Sequence, residues 1–299
     1  MTTLAPEARA GGGSLEPGRG NLLLSEWTKI RSVRSTVWTL ISFVVVAIGL
    51  TTLITWLTVN NLSTGKHGSA ATGVATDPVN FILGSGMGLA QLAICVLGVL
   101  VITSEYSSGT IRASSLAVPR RLPMLAAKCL VFAALVFVIG EAIAFSVFYL
   151  GAFIVHSHVV TGNSALAAVL QHDGTLQNGR ITVSLGQHDV LRAVIGSGLY
   201  LTVLGLFALA IGGLIRHTAG AIAAVIALVL VLLPLTQLLP SSWGAHVNAY
   251  MPTVAGLLIT DDKVQSGQLL PAWGGFAVFC GWTAALLIGA GWLLRARDV

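Results

Sequence analysis

The residues able to do chemistry are few, because Asp, Glu, Lys and Arg make up only 9% of this 299-residue chain. ATP hydrolysis by a P-loop requires GxxxxGK[ST], whose backbone amides wrap around phosphates. The one Gly-Lys pair, Gly65-Lys66, is followed by His67 and lacks a glycine at the required distance before it. A G-x-S-x-G elbow for a hydrolase is also missing from the sequence. We therefore predict that the chain is not an enzyme and does not hydrolyse ATP itself.

A metal site is not predicted either. Of the seven histidines, His156 and His158 are the closest pair, and no third ligand follows at a recognisable spacing. The three cysteines stand alone inside apolar stretches, without a CxxC pair. We expect no metal ion, no cofactor and no disulfide framework. An intramembrane enzyme that uses the two histidines is an alternative.

Glu141 stands in the middle of a long apolar stretch. An ionised carboxylate is costly in such a place unless it is paired or faces water. A structural hydrogen bond to another helix and a proton-carrying role both account for this residue. The second explanation keeps open an ion-gradient-driven secondary transporter or channel that uses Glu141.

The most informative polar stretch is residues 104–121, SEYSSGTIRASSLAVPRR. A short helix can begin after Ser107 and Ser108, and Pro119 stops it. The stretch is too polar to enter a membrane and too small to form a domain. It suits a docking element for another protein, although a loop of this kind is more often a plain connector.

The amino-acid composition indicates whether these residues belong to a soluble protein or to a membrane protein. Hydrophobic residues make up 55% of the chain and the mean hydropathy is +0.86, whereas a soluble domain carries about 25% charged residues. Polar surface is too scarce to cover a soluble globule of this size. The sequence therefore predicts an integral membrane protein, which keeps apolar side chains both outside and inside.

Six apolar stretches reach the roughly 20 residues that a helix needs to cross the hydrocarbon core. They are too long and too uniformly apolar for the alternating strands of a barrel. The predicted fold class is therefore all-α, a polytopic membrane protein with six transmembrane helices. The predicted spans are about 38–59, 81–103, 126–155, 194–215, 219–239 and 273–294.

An even number of crossings puts both termini on one side of the membrane. Of the 16 Lys and Arg residues, 12 lie on the side of the termini and 4 on the other. By the positive-inside rule both termini are predicted to be cytoplasmic. This bias also accounts for the net charge of +5, so no nucleic-acid partner is expected. The acids of the opposite face are Asp77, Asp173, Asp189, Asp261 and Asp262.

Residues 1–21 are polar and rich in Gly and Pro, which predicts a disordered cytoplasmic tail without a cleavable signal peptide. Residues 22–37 have an apolar arc that includes Trp27, which predicts an amphipathic interfacial helix on the membrane lipids. Its basic residues are Lys29, Arg31 and Arg34, the last of which would snorkel toward headgroups. A polar stalk that extends the first span is the alternative.

Three other stretches have a predicted role or an open one. Residues 84–88, GSGMG, lie near the start of a span, so close helix packing explains the glycines better than a phosphate loop does. Residues 251–259 are apolar but too short to cross, which predicts a re-entrant or interfacial segment. The role of the loop at 157–191 is left open.

With these motifs in this order, the sequence resembles the permease subunits of type-2 ABC transporters over residues 22–297. The resemblance rests on Glu105-x-x-x-Gly109-Thr110-x-Arg112 with Pro119 and Lys128 after it, on Ser25-Glu26-Trp27-Thr28-Lys29-Ile30-Arg31, on Ser184-Leu185-Gly186 through Leu199-Tyr200, and on Arg216-His217-Thr218-Ala219-Gly220.

The resemblance implies a multi-pass subunit of a bacterial cytoplasmic membrane exporter. Two permease copies, identical or different, would form the substrate pathway. The cytoplasmic helix after the second span would sit in a groove of a separate ATPase subunit, present in two copies, and transmit its closure. The residues that fall on this ATPase-coupling pattern are Glu105, Gly109, Thr110, Arg112 and Pro119.

Other classes stay open beside this resemblance. A secondary transporter or channel would prefer intramembrane charged pairs and an inverted repeat, and the sequence offers only Glu141. A membrane anchor or assembly factor that moves nothing is a further alternative. The substrate class, whether drug, lipid, peptide or lipid-linked glycan, does not follow from the residues.

Overall fold

The computed structural model describes residues 23–28, 34–63, 73–74, 76–107, 121–157, 176–177, 180–231, 241–264 and 267–296. Within these ranges the chain is almost entirely helical, which confirms the predicted all-α class. The helices are α1 (23–28), α2 (Arg34–Ser63), α3 (Pro78–Ser107), α4 (Arg121–Ser157), α5 (Val190–Ile215), α6 (Thr218–Ile226), α7 (Ser241–Ala249), α8 (Pro252–Leu257) and α9 (Ala272–Ala296). One two-residue antiparallel pair is described, β1 (Leu176–Gln177) with β2 (Arg180–Ile181).

Five helices are long and apolar enough to cross a membrane, namely α2, α3, α4, α5 and α9. The protein is therefore a multi-pass membrane protein. These helices match five of the six predicted spans and extend a few residues beyond most of the predicted boundaries, because a helix continues past the hydrocarbon core into the polar interface.

The fifth predicted span, 219–239, is described only in part. It begins as α6 and continues as a π-helical turn, Ala227–Val231, which together form a shorter apolar helix. The remainder, 232–240, lies outside the described residues, as does the predicted tail, 1–21. The number of six crossings therefore stays a prediction.

Helix α5 lies at the centre of the bundle. About 72% of its most apolar window is buried inside the protein, against 17% for the peripheral α2. Helices pack in a membrane through small residues that let backbones approach closely. Gly98 of α3 lies against the carbonyl of Gly205, and Gly140 of α4 lies against Gly198. Glycine thus lets both neighbours reach the central helix.

The contacts define two ends of the bundle. Gly212 at the end of α5 contacts Val99 and Ile102 late in α3, so α3 and α5 run in the same direction. Gly151 late in α4 contacts Ile82 early in α3, so α4 runs in the opposite direction. We call the end where α3 finishes and α4 begins the Lys128 end, and the opposite one the Asp261 end.

The glycine-rich stretch 84–88 confirms the packing prediction at one position only. A side chain at Gly86 would collide with Thr51 and with the carbonyl of Ala47 on α2. No atom lies within 4 Å of the place where the Cβ of Gly88 would be, and a Cβ at Gly84 would meet only Asn80. The stretch is therefore tightly packed on one face of α3 and open on another.

Residues 251–259 form a short helix, α8, followed by a 3-10 turn, Leu258–Thr260. Gly256 contacts the ring of Phe279 on α9, and Gly196 of α5 contacts the carbonyl of Ile259. The segment thus packs into the Asp261 end of the bundle and is too short to cross it.

Candidate functional site

Only part of the predicted ATPase-coupling pattern lies within the described residues. Glu105 lies in the last turn of α3, which extends to Ser107. Gly109, Thr110, Arg112 and Pro119 belong to residues 108–120, outside the described part of the chain.

The predicted interfacial helix, 22–37, is also described only in part. Residues 23–28 are helical, and Trp27 is 44% exposed. Lys29 and Arg31 lie outside the described residues. Arg34 is the exposed first residue of α2, so residues 34–37 belong to the first long helix. An apolar run follows them without a helix breaker, which explains why α2 begins there.

A buried ion triad forms the strongest polar feature of the Lys128 end. The Nζ of Lys128 donates to Oε2 of Glu26 at 2.6 Å and to Oε1 of Glu105 at 2.7 Å. Lys128 is 4% exposed and Glu26 is 3% exposed. Glu26 and Lys128 are 102 residues apart in sequence, so the triad joins α1, the last turn of α3 and the first turns of α4.

Sequence analysis named the members of this triad without placing them together. Glu105 falls on the coupling pattern, whereas Lys128 and Glu26 belong to the motifs of the family resemblance without a predicted role of their own. A signal was present, because Glu26 follows Leu23 by three residues and so flanks the apolar arc of the predicted helix. A carboxylate at such a place needs a partner once the arc is covered.

The triad is energetically sensitive because Glu26 and Lys128 are buried and Glu105 is largely removed from water, with 12% of its side chain exposed. Removing two carboxylates and an ammonium from water is costly, and only good pairing geometry offsets that cost. Charge-assisted bonds of this length are among the stronger hydrogen bonds in proteins. Loss of the lysine leaves both carboxylates without a counter-charge, and breaking a buried ion pair in this way typically costs about 3–5 kcal/mol. The triad therefore holds the three segments in one arrangement.

A second basic residue ties other helices together at the same end. Arg216 ends α5 in a left-handed conformation, with φ of 60°, and its Nη2 donates to the carbonyl of Leu293 on α9 at 3.1 Å. Its guanidinium lies 5.2 Å from the ring centre of Tyr106, beside Glu105. His217 then caps α6, with its Nδ1 accepting from the amide of Gly220 at 3.2 Å. The Arg216–Gly220 turn thus shares an end with the triad.

Glu141 lies in the middle of α4, away from both ends. Both of its carboxyl oxygens are buried, and neither has a hydrogen-bond partner among the described residues. The side chain lies over Gly198 of α5, where a Cβ would collide with it. The hydrogen bond expected from a structural role is therefore not found in the described part of the chain, and a proton-carrying role stays a prediction.

At the Asp261 end, the basic residues donate largely to backbone carbonyls. Arg192 donates to the carbonyl of Asp261 at 2.8 Å and to the Asp189 carboxylate at 3.3 Å, which holds the pKa of Asp189 below its usual range. Lys263 donates to the carbonyl of Thr76 at 3.2 Å. Each of these two cations thus gives one described hydrogen bond to a loop carbonyl, and Arg192 also pairs with the carboxylate of Asp189.

Three carboxyl groups crowd together beside these cations. Burial raises the pKa of Asp261 to about 6, and the nearby Asp77 adds to the shift. Burial also raises the pKa of Asp262 to about 7, with a hydrogen bond to Asp77 as the next cause. One Asp262 oxygen is buried without a described partner. Sequence analysis placed these acids on one face of the protein but did not bring them together.

No family model and no curated protein matches the chain.

Proposed function

We propose that this protein is the membrane-spanning permease subunit of a type-2 ABC transporter of the bacterial cytoplasmic membrane. It exports its substrate as part of a permease dimer and takes its energy from separate ATPase subunits. The observation that carries the proposal is the buried triad of Glu26, Glu105 and Lys128.

The triad lies where a coupling device is needed. Residues 108–120 connect the last turn of α3, which ends at Ser107, with the start of α4 at Arg121. Lys128 ties these two helices to each other through Glu105, and to α1 through Glu26. A push on residues 108–120 would therefore move three segments together. A plain connector needs no buried ionic tie across its base, since buried ion pairs add little stability.

Topology supports the same assignment. Glu26 and Leu293 both lie at the Lys128 end, through the triad and through Arg216. That placement suits an even number of crossings with both termini on the cytoplasmic side, where the excess of Lys and Arg is found. The ATPase would then meet residues 108–120 from the cytoplasm. The chain would bias its own conformations through its differential contacts with two states of that partner.

The first test is whether a neighbouring reading frame encodes a stand-alone P-loop ATPase, and the second is co-expression of the chain with that ATPase. We expect the two proteins to co-purify and the complex to hydrolyse ATP and transport a dye substrate in vesicles. Arg112→Glu should abolish co-purification while leaving membrane insertion unchanged. Lys66→Glu, a matched charge reversal in a polar loop, should leave both unchanged. Wild-type co-purification and transport by Arg112→Glu would sink the coupling assignment.

A second candidate function is a secondary transporter, which is favoured by the carboxyl group of Glu141 because it has no hydrogen-bond partner among the described residues. It predicts transport that needs no ATPase and that follows an imposed pH gradient. Glu141→Gln should abolish such transport, because an amide cannot carry a proton. ATPase-independent transport in vesicles would favour this candidate over the ABC assignment.

A further inference from the structure

Two adjoining cavities lie at the Asp261 end. The smaller one, of about 210 Å³, is bordered by α3, α5 and the end of α8, and reaches Asp261. The larger one, of about 370 Å³, is bordered by α3 and the residues before it, and reaches Asp77. Asn80 and Gly84 line both, so the cavities are direct neighbours. An acidic residue thus lines each of them.

The wall of the smaller cavity combines polar and apolar groups. The hydroxyl of Tyr200 donates to Oε1 of Gln91 at 2.8 Å, and both side chains are buried. Leu83, Met87 and Leu257 supply apolar surface. Sites for small molecules are built in this way, with apolar walls for contact and a few fixed polar groups for orientation.

The space exists because α3 carries glycine on this face. The Cβ position of Gly88 is open, and that of Gly84 meets only Asn80 at 3.7 Å. Gly86, on another face of the same helix, has no such room. Loose packing is therefore confined to the cavity face and is not a property of the whole helix.

Charge decides what kind of molecule fits. Asp261 lines the smaller cavity and Asp77 lines the larger one, and repulsion from Asp77 contributes to the raised pKa values of Asp261 and of its neighbour Asp262. The facing cations oppose these shifts, Arg192 at Asp261 and Lys263 at Asp262, but burial and Asp77 outweigh them. A positively charged ligand would relieve this repulsion.

We propose that the joined cavities bind a small organic ammonium ion with apolar substituents, as a free amine or as a lipid headgroup. The ammonium lies beside Asp261 and the substituents lie against the apolar wall. Across the described residues, no group of three or more His, Cys, Asp or Glu side chains could hold a metal ion. A cavity of about 150 Å³ admits benzene, and the smaller cavity exceeds that. This site does not depend on the transporter class proposed above.

Choline and its neutral isostere, 3,3-dimethyl-1-butanol, test the proposal directly. The full chain would be placed in nanodiscs of phosphatidylglycerol, whose headgroup has no ammonium, and binding measured by isothermal titration calorimetry. We expect choline to bind about tenfold or more tightly than the isostere, because only choline pairs with a carboxylate. Choline binding should weaken as the pH falls below about 6, where the Asp261 carboxyl group gains its proton.

Two variants locate the site. Asp261→Asn should weaken choline binding about tenfold or more, and Gly88→Leu should abolish it by filling the cavity. The matched control is Gly281→Leu, since Gly281 of α9 is exposed with open space at its Cβ position, as Gly88 is, but lines neither cavity. Size-exclusion profiles and melting temperatures establish that each variant is folded.

A third arm separates the two sources of the ligand. In phosphatidylcholine nanodiscs, loss of free choline binding would assign the cavities to the lipid headgroup, whereas unchanged binding would assign them to a free amine. Equal binding of choline and the isostere, no binding of choline in the choline-free nanodiscs, or wild-type binding by folded Gly88→Leu would each overturn the proposal.

Discussion

At the Lys128 end one lysine lies between two carboxylates, whereas at the Asp261 end three carboxyl groups crowd together and the nearby cations donate to backbone carbonyls. Both arrangements bury charge at the rim of a membrane bundle. The first pairs opposite charges and joins segments that are far apart in sequence. The second leaves like charges close to each other beside two cavities.

The difference teaches what each end can do. Paired opposite charges are stable only in one geometry, which suits a part that must transmit a movement without deforming. Crowded carboxyl groups exchange protons or bind cations easily, because either event removes repulsion. The Lys128 end is therefore suited to mechanical coupling and the Asp261 end to ligand binding.

The largest expected effect follows from removing the shared cation. Lys128→Met leaves the carboxylates of Glu26 and Glu105 buried without their ammonium, so we expect a loss of about 3–5 kcal/mol in the free energy of unfolding. SDS titration of the purified protein measures it. Lys263→Met, an exposed lysine at the other end, should cost less than about 1 kcal/mol.

The triple variant Lys128→Met, Glu26→Gln, Glu105→Gln distinguishes buried charge from lost packing. With all three charges removed, stability should recover most of what Lys128→Met loses, because no uncompensated charge remains. A triple variant no more stable than the single one would show that the lysine acts through its packing. That result would remove the contrast between the two ends.

A smaller effect is expected from neutralising one carboxylate at a time. Glu26→Gln and Glu105→Gln each leave Lys128 with one charged partner, so each should cost about 1.5–3 kcal/mol. Similar losses would show that α1 is held as firmly as α3. Negligible loss for Glu26→Gln, beside a clear loss for Glu105→Gln, would reduce the triad to a pair and exclude α1 from the coupled unit. The same SDS titration compares the two variants.

The sequence was sufficient to predict the spanning helices, but it was insufficient to predict which charged residues lie in contact at the two ends. Runs of about 20 apolar residues predict spanning helices because a bilayer leaves the backbone no other economical structure. Lys128 and Glu26 are 102 residues apart, and no local pattern identifies which acid a lysine will meet. The crowding of Asp77 with Asp261 and Asp262 likewise depends on how α8 packs against α5. Charge placement along the chain therefore predicted sides of the membrane but not partners.

At the Asp261 end the expected effect is a dependence of stability on pH. Folding raises the pKa values of Asp261 and Asp262 to about 6 and about 7, so between pH 4 and pH 7 the folded state binds more protons than the unfolded one. Stability from these groups is present below about pH 4 and is lost as the pH rises through 7. The melting temperature should accordingly be higher at pH 5 than at pH 8.

A variant tests whether the pH dependence of the melting temperature arises from the carboxyl groups of the Asp261 end. Asp262→Asn should reduce the difference between pH 5 and pH 8, because the amide cannot ionise. Differential scanning fluorimetry at the two pH values measures the change. Choline should raise the melting temperature more at pH 8 than at pH 5, since it replaces the missing proton. A melting temperature that rises from pH 5 to pH 8, in the wild type and in Asp262→Asn alike, would contradict the assignment.

The smallest effect is expected at Glu141, which lies between the two ends. It belongs neither to the ion triad of the Lys128 end nor to the crowded carboxyl groups of the Asp261 end. Its oxygens have no described partner, and an ionised carboxylate is costly at mid-membrane, so the group is expected to be neutral there. Glu141→Gln then exchanges one neutral polar group for another of nearly equal size and breaks no described bond. We expect a change below about 0.5 kcal/mol in the free energy of unfolding, again by SDS titration.

A loss above about 1 kcal/mol for Glu141→Gln would reveal a hydrogen-bond partner, supplied by residues 232–240 or by a second copy of the chain. Glu141 would then belong with the paired charges of the Lys128 end, and the contrast between paired and crowded charge would extend into the middle of the membrane.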